Sequence, residues 1–159
     1  MSRAPRIQGF SYLGPYRYFL TFCTHSRRQT FFDGDIVAET LVHFRKTAEQ
    51  EAFAILAYCL MPDHAHLLVE GRTEGADLRR FVKLAKQRSG AAYSIKTGKP
   101  LWQEGYHDHA LRKDEDIKDV ARYILENPVR AALVSHAGDY PYSGSDAWTI
   151  SEILESFQW

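Results

Sequence analysis

Hydrophobic and polar positions follow two different periods along the 159-residue chain. Segments of period two, rich in aromatic and β-branched residues, predict strands at 16–25, 53–60, 64–70 and 101–112. Apolar positions at helical spacing predict helices at 36–49 and 76–94, the latter with Asp77 as its cap, and a third from 114 or 115 to 126. The order β-α-β-β-α-β is that of the split βαβ, ferredoxin-like fold. We therefore predict an α+β fold with an antiparallel sheet, helices on one side and an extra C-terminal helix.

The chain shows no internal repeat, low-complexity tract or linker that would divide it. We expect one domain over residues 1–159, with a core at about 16–134 and a C-terminal tail at 135–159. No apolar run reaches the 18 residues that would suggest a membrane span, and the run at 18–23 is too short for a signal peptide. The pattern predicts a soluble, cytoplasmic protein.

The formal net charge is zero, which by itself argues weakly against a nucleic-acid partner. The distribution is uneven, because residues 1–30 hold five arginines and no acidic residue, and residues 72–99 hold eight basic residues against two acidic ones. A local basic face attracts phosphates even on a neutral protein. An ordinary solvated surface can carry the same asymmetry. The candidate DNA contacts are Arg27, Arg28, Arg79, Arg80, Lys83 and Lys86.

Two histidines follow the predicted turn at 61–63. Side chains alternate along a strand, so His64 and His66 project to one face while Ala65 and Leu67 project to the other. Imidazoles about 7 Å apart along a strand can converge on one divalent ion. Two polar residues on a solvated face would give the same triplet, and the triplet alone is weak evidence for a metal site.

Tyr123 and Asn127 lie four residues apart in the third predicted helix, so they share a face. The amide oxygen of Asn127 could complete the ligands of the ion. Because Asn127 precedes Pro128, it also fits the N-cap of a fresh helix that runs to Leu133, and the Tyr123 helix should end or bend there. Taken alone, Tyr123 also fits a half-buried core tyrosine.

Together the two segments resemble a known family. Met-Pro-Asp-His-Ala-His-Leu-Leu-Val, followed by Tyr-Ile-x-x-Asn-Pro-Val-Arg, is similar to the single-tyrosine HUH transposases, and within them to the REP-associated tyrosine transposases. The likeness runs from about residue 16 to 134. It implies that His64, His66 and Asn127 bind Mg²⁺ or Mn²⁺ and that Tyr123 is the nucleophile. Ala132 departs from the pattern, since a glycine is common at that position.

The resemblance implies a transposase that cuts and rejoins single-stranded DNA at hairpins of palindromic repeats, through a 5′-phosphotyrosine intermediate. Its partner would be hairpin DNA, with no nucleotide cofactor and no membrane, and the protein would act as a monomer or homodimer. An inactive, domesticated protein that only binds single-stranded or hairpin DNA is the main alternative. A non-catalytic nucleic-acid-binding module and a metallohydrolase that uses water also remain open. His107 and His109 form a second, less favoured triplet, and Tyr106 is a rival nucleophile.

Overall fold

Over residues 11–155, which the computed structural model describes, five strands form one antiparallel sheet in the order β4-β1-β3-β2-β5. The strands are β1 Arg17–Cys23, β2 Phe53–Met61, β3 His64–Gly71, β4 His107–Ala110 and β5 Ser143–Gly144. With the intervening helices, the first four strands form the split βαβ unit. The predicted fold class is confirmed, and β3, which carries both histidines of the first triplet, is the central strand.

Two long helices pack against one face of the sheet, α1 over Gly34–Gln50 and α2 over Leu78–Thr97. Each begins after an aspartate, Asp33 or Asp77, whose side chain accepts a hydrogen bond from a backbone N–H of the first turn. Such a bond satisfies one of the donors that a helix start leaves free. The predicted cap at Asp77 is therefore confirmed. The core of this face includes Leu67 and other alternate residues of the strands.

A shorter helix packs against the opposite face of the sheet. The short helices that follow α2 are α3 Ile117–Leu125, α4 Asn127–Arg130 and α5 Ile150–Leu154. Buried residues of α3, including Ile124, lie in one cluster with Leu68 of β3. His64 and His66 share the face of Leu68, because side chains of a strand alternate. The histidine pair therefore faces the layer that contains α3.

The fourth strand is shorter than predicted, because segment 101–106 forms one antiparallel bridge with the end of β1, between Trp102 and Thr24, and is otherwise bonded to α2. Trp102 donates its indole N–H to Ser89 at 2.9 Å, and the Lys86 ammonium donates to the backbone carbonyl of Gln103 at 2.8 Å and to that of Gly105. These bonds hold the segment against the helix until β4 begins at His107. Hydrophobic alternation alone does not distinguish such a packed loop from a strand.

The C-terminal tail packs on the face of the sheet that carries α3. Strand β5 pairs with β2, and the Tyr140 hydroxyl donates a buried hydrogen bond of 2.6 Å to the carbonyl of Leu60. Ile153 of α5 is fully buried in the same cluster as α3. The tail therefore helps to fix α3 on the sheet. Among the described residues, no helix has the length and apolar character needed to cross a membrane.

Candidate active site

The two histidines meet at the start of β3, where the turn from β2 ends. Nε2 of His64 lies 3.1 Å from Nε2 of His66, and both rings are partly buried. Atoms that close together can both reach one cation with bonds of about 2.1 Å. The predicted convergence of the two side chains on one face is thus present.

Each imidazole is oriented by a hydrogen bond at its other nitrogen. Nδ1 of His64 lies 2.7 Å from Oδ1 of Asp63, and Nδ1 of His66 lies 3.0 Å from Oγ1 of Thr21 on β1. With both Nδ1 atoms engaged, the two Nε2 atoms remain directed at one point. Metal-binding histidines are usually oriented by such a partner at the second ring nitrogen.

The electrostatic surroundings keep one of these rings neutral. Burial lowers the pKa of His66 to about 3, and the positive charges of His64 and Arg130 act in the same direction. A neutral imidazole has a free lone pair, which is the form that binds a metal ion. His66 is therefore in the form that can bind a cation at physiological pH.

Asn127 joins the pair from the junction between α3 and α4. Its Nδ2 lies 3.4 Å from Nε2 of His64, and turning the amide over would place Oδ1 there instead. The alternative that Asn127 caps a new helix is wrong, because Glu126 holds the capping position without a side-chain bond. The new helix also ends at Arg130 and does not reach Leu133, while the Tyr123 helix ends at Leu125, close to the predicted bend. The amide is therefore available to the site.

Tyr123 projects from α3 beside the histidines. Its side chain is 55% exposed, so it is not a half-buried core residue. Its ring lies 6.1 Å from that of Phe19, which packs edge-on against His66 at 5.2 Å between ring centroids. The Arg130 guanidinium stacks over the Tyr123 ring, with Cζ 3.9 Å from the ring centroid. The hydroxyl-bearing ring is thus both accessible and held next to the candidate metal ligands.

The predicted DNA contacts lie in two separate places. Arg27 is beside the histidine pair, where it pairs with Asp63 at 3.0 Å, and Arg28 follows it as an exposed residue. The basic cluster of α2 lies on the opposite face of the sheet, and one member, Arg80, pairs with Glu51 at 2.6 Å. The structure does not bring this cluster together with the histidine pair. Its members are Arg79, Arg80, Lys83 and Lys86.

The second histidine triplet lies on the same face of the sheet as the first. In the register of β1 and β4, His107 stands opposite Thr21 and His109 opposite Phe19. His109 is engaged with Glu115 at 2.9 Å, which ties β4 to the segment before α3. Within residues 11–155 there is no group of three or more His, Cys, Asp and Glu side chains suited to a metal. The candidate set remains two histidines and an amide.

Sequence reasoning missed the residues that surround this set. Thr21 reaches His66 only through the register between β1 and β3, which no local pattern reveals. Asp63 was read as a turn residue, although its position directly before His64 could have suggested a carboxylate partner for the ring. Arg130 belongs to the motif that carries the resemblance, yet its contact with Tyr123 depends on the bend between α3 and α4.

A ferredoxin-like sheet with paired histidines on its central strand and an exposed tyrosine on the facing helix is the arrangement that the resemblance to single-tyrosine HUH transposases implied. The chain belongs to the family described as "Transposase IS200 like", whose model matches residues 14–127. Membership of this family supports a DNA-cleaving role. The predicted relationship is confirmed.

Individual relatives point to one branch of this family. The chain is 27% identical over 139 residues to a REP-associated tyrosine transposase of Haemophilus influenzae, covering 79% of this chain and 77% of the relative. It is 31% identical over 101 residues to the REP-associated tyrosine transposase of Escherichia coli, covering 62% and 58%.

Two solved structures share the fold. A REP-associated tyrosine transposase bound to a REP hairpin superposes with a TM-score of 0.75 at 24% identity, over 90% of this chain and 82% of that one. A transposase-like protein of Deinococcus radiodurans R1 gives a TM-score of 0.55 at 22% identity, over 82% and 92%. At these identities the likeness supports the fold and does not assign individual residues.

Proposed function

We propose that this protein is a metal-dependent transposase that cuts and rejoins single-stranded DNA at hairpin sites, with Tyr123 as the nucleophile. The observation that carries the proposal is the meeting of His64, His66 and Asn127 beside an exposed tyrosine. Membership of the IS200-like transposases and similarity to REP-associated relatives support the same reaction.

The proposed chemistry is a phosphoryl transfer that conserves the number of phosphoester bonds. The Tyr123 oxygen attacks phosphorus, the bond from phosphorus to the 3′ oxygen breaks, and a 5′-phosphotyrosine link forms. The phenol gives up its proton and the 3′ oxygen ends as a hydroxyl, so charge and protons balance over the step. Because the products retain a phosphodiester, the reverse attack by a 3′-hydroxyl rejoins the strand without a nucleotide cofactor.

The residues that would hold the metal are His64, His66 and Asn127. A divalent cation there, Mg²⁺ or Mn²⁺, would offset negative charge on the scissile phosphate and stabilise the phenolate that develops during attack. The protein's own contribution is to orient both imidazoles, through hydrogen bonds with Asp63 and Thr21. Histidine nitrogens favour Mn²⁺ over Mg²⁺ on coordination grounds.

The proposed substrate is single-stranded DNA that carries a short hairpin. A relative of the same fold was solved with a REP hairpin, which supports this class of ligand. Arg28, an exposed cation near the histidine pair, is available for the phosphates of the single strand. The basic cluster of α2 could hold a more distant part of the hairpin, since it lies on the other side of the sheet.

Replacement of the nucleophile tests the proposal. Tyr123→Phe removes only the hydroxyl of an exposed ring, so the melting temperature, Mn²⁺ binding and hairpin binding should all stay unchanged. Cleavage of a labelled hairpin oligonucleotide and the covalent adduct, both seen on denaturing gels, should disappear together. Tyr106→Phe is the matched control, because this ring packs edge-on against Phe22 in the core between the sheet and helices α1 and α2.

The alternatives give different results in the same gel. A Tyr123→Phe protein that still cuts DNA would identify a nuclease that uses water. An unaltered protein that binds the hairpin but forms no adduct with Mn²⁺ or Mg²⁺ would identify an inactive DNA-binding protein.

A further inference from the structure

Arg130 occupies an unusual place at the end of α4. The chain bends between α3 and α4, and this bend returns the arginine to a residue seven positions earlier. Its guanidinium lies over the ring of Tyr123, with Cζ 3.9 Å from the ring centroid, and Nη2 donates a hydrogen bond of 2.5 Å to the Tyr123 carbonyl. The side chain is exposed, so this position does not result from burial in a core.

Arg130 differs from Arg27 and Arg122 in having no acidic partner among residues 11–155. Arg27 pairs with Asp63 at 3.0 Å, and Arg122, the immediate neighbour of Tyr123, pairs with Glu126 at 2.8 Å. No carboxylate of residues 11–155 forms an ion pair with Arg130, and the Tyr123 carbonyl accepts only one of its five N–H donors. A positive charge with free donors thus lies directly on the candidate nucleophile.

Arg130 is also close to the candidate metal ligands. The Tyr123 ring that it covers lies 6.1 Å from the ring of Phe19, and the Phe19 ring packs edge-on against His66 with 5.2 Å between ring centroids. The phosphate attacked by Tyr123 must approach both the tyrosine oxygen and the ion held by the histidines. A cation that is close to both will therefore face that phosphate.

We infer that Arg130 is a catalytic residue that binds the non-bridging oxygens of the phosphate attacked by Tyr123. This inference rests on the proposed function. A planar guanidinium matches two phosphate oxygens at once, and it keeps its charge at any physiological pH. Its N–H groups stabilise the charge that develops on those oxygens during attack. The stack on the ring fixes the arginine and the nucleophile relative to each other.

The test compares arginine variants of the full chain in single-turnover cleavage of a labelled hairpin oligonucleotide with single-stranded flanks, in the presence of Mn²⁺. Loss of one preorganised donor group typically slows a reaction by about 10²–10³-fold, and we expect Arg130→Ala to fall in this range. Arg130→Lys keeps a charge without the planar fork, so its rate should lie between those of the alanine variant and the unaltered protein. Guanidinium ion at millimolar concentration should accelerate Arg130→Ala and leave the unaltered protein unchanged.

Three further measurements separate this role from a structural one. Hairpin affinity, Mn²⁺ affinity and melting temperature should stay close to their unaltered values in Arg130→Ala, because the side chain is exposed and, within residues 11–155, forms its hydrogen bond with Tyr123. Arg122→Ala is the matched control, since it removes an arginine of the same region that already has a carboxylate partner. Its cleavage rate should stay close to that of the unaltered protein.

Two outcomes would overturn the inference while leaving the proposed function intact. One is an adduct formed by Arg130→Ala at nearly the unaltered rate. The other is equal slowing in the alanine and lysine variants together with a lower melting temperature and no effect of guanidinium, which would make the arginine a packing residue. If the unaltered protein forms no adduct, the proposed function fails and the inference fails with it.

Discussion

Asp63 holds the first imidazole of the pair, and its removal should weaken metal binding without removing a ligand. Its Oδ1 lies 2.7 Å from Nδ1 of His64, while Oδ2 accepts two N–H groups of Arg27 at 3.0 and 3.1 Å. Burial opposes ionisation of Asp63, but hydrogen bonds from His64 and Arg27 lower its pKa overall. In Asp63→Ala, the His64 ring loses the acceptor that directs its Nε2 at the site.

The size of the effect follows from this contact. Loss of the partner at the second nitrogen of a metal-binding histidine typically costs about 10–100-fold in metal affinity. That range corresponds to about 1.4–2.7 kcal/mol, close to the worth of one hydrogen bond to a charged group. Arg27→Ala should cost less, because its pair with Asp63 is largely exposed and such pairs contribute about 0–1 kcal/mol.

Calorimetric titration of the full chain with Mn²⁺ measures the affinity. Joint replacement of His64 and His66 by alanine gives the reference for complete loss of the site. Glu70→Gln is the matched control, because Glu70 lies on the same face of β3 and pairs with Arg17 at 2.6 Å, far from the histidines. Mn²⁺ affinity in Asp63→Ala equal to that of the unaltered protein would refute the orienting role, provided that the reference variant binds no metal.

Two further predictions concern stability. The pKa of His66 is lowered in the folded state, so as the pH falls below the usual histidine pKa near 6.5 the unfolded chain takes up a proton before the folded one does. In metal-free protein, the free energy of unfolding should therefore be greatest above that pH and should decrease toward pH 3. His66→Asn should flatten this part of a plot of melting temperature against pH. Tyr140→Phe removes a buried hydroxyl that donates to the Leu60 carbonyl at 2.6 Å, so the free energy of unfolding in urea should fall by about 1 kcal/mol, and an unchanged value would mean that another donor replaces it.

The sequence predicts those features of the site that depend only on the repeat of side-chain positions along a strand or a helix. His64 and His66 share a face because a strand alternates, and the helical spacing before Glu126 places Tyr123 on α3. These rules act over a few residues, so the strand and helix assignments were enough. The fold class followed from the order of the elements in the same way.

The remaining parts depend on contacts that local rules do not determine. Thr21 and His66 meet because β1 and β3 pair in one particular register, and that register is fixed by the hydrophobic face of each strand against its neighbours. The fourth strand was overestimated because segment 101–106 forms one bridge with the end of β1 and is also held by hydrogen bonds with Ser89 and Lys86 of α2. Both outcomes are decided by tertiary packing.

Asn127 shows how tertiary contacts choose between two local possibilities. Asparagine before Pro128 favours a helix cap, and the same oxygen can bind a metal. Glu126, at the bend, is the N-cap residue of α4. The Asn127 side chain is therefore not used as a cap, and its Nδ2 lies 3.4 Å from Nε2 of His64. The same bend returns Arg130 to Tyr123. One break in the helix therefore sets the positions of Asn127, the third candidate ligand, and of Arg130, the cation on the Tyr123 ring. A substitution that made α3 and α4 continuous, such as Pro128→Ala, should disturb both positions at once.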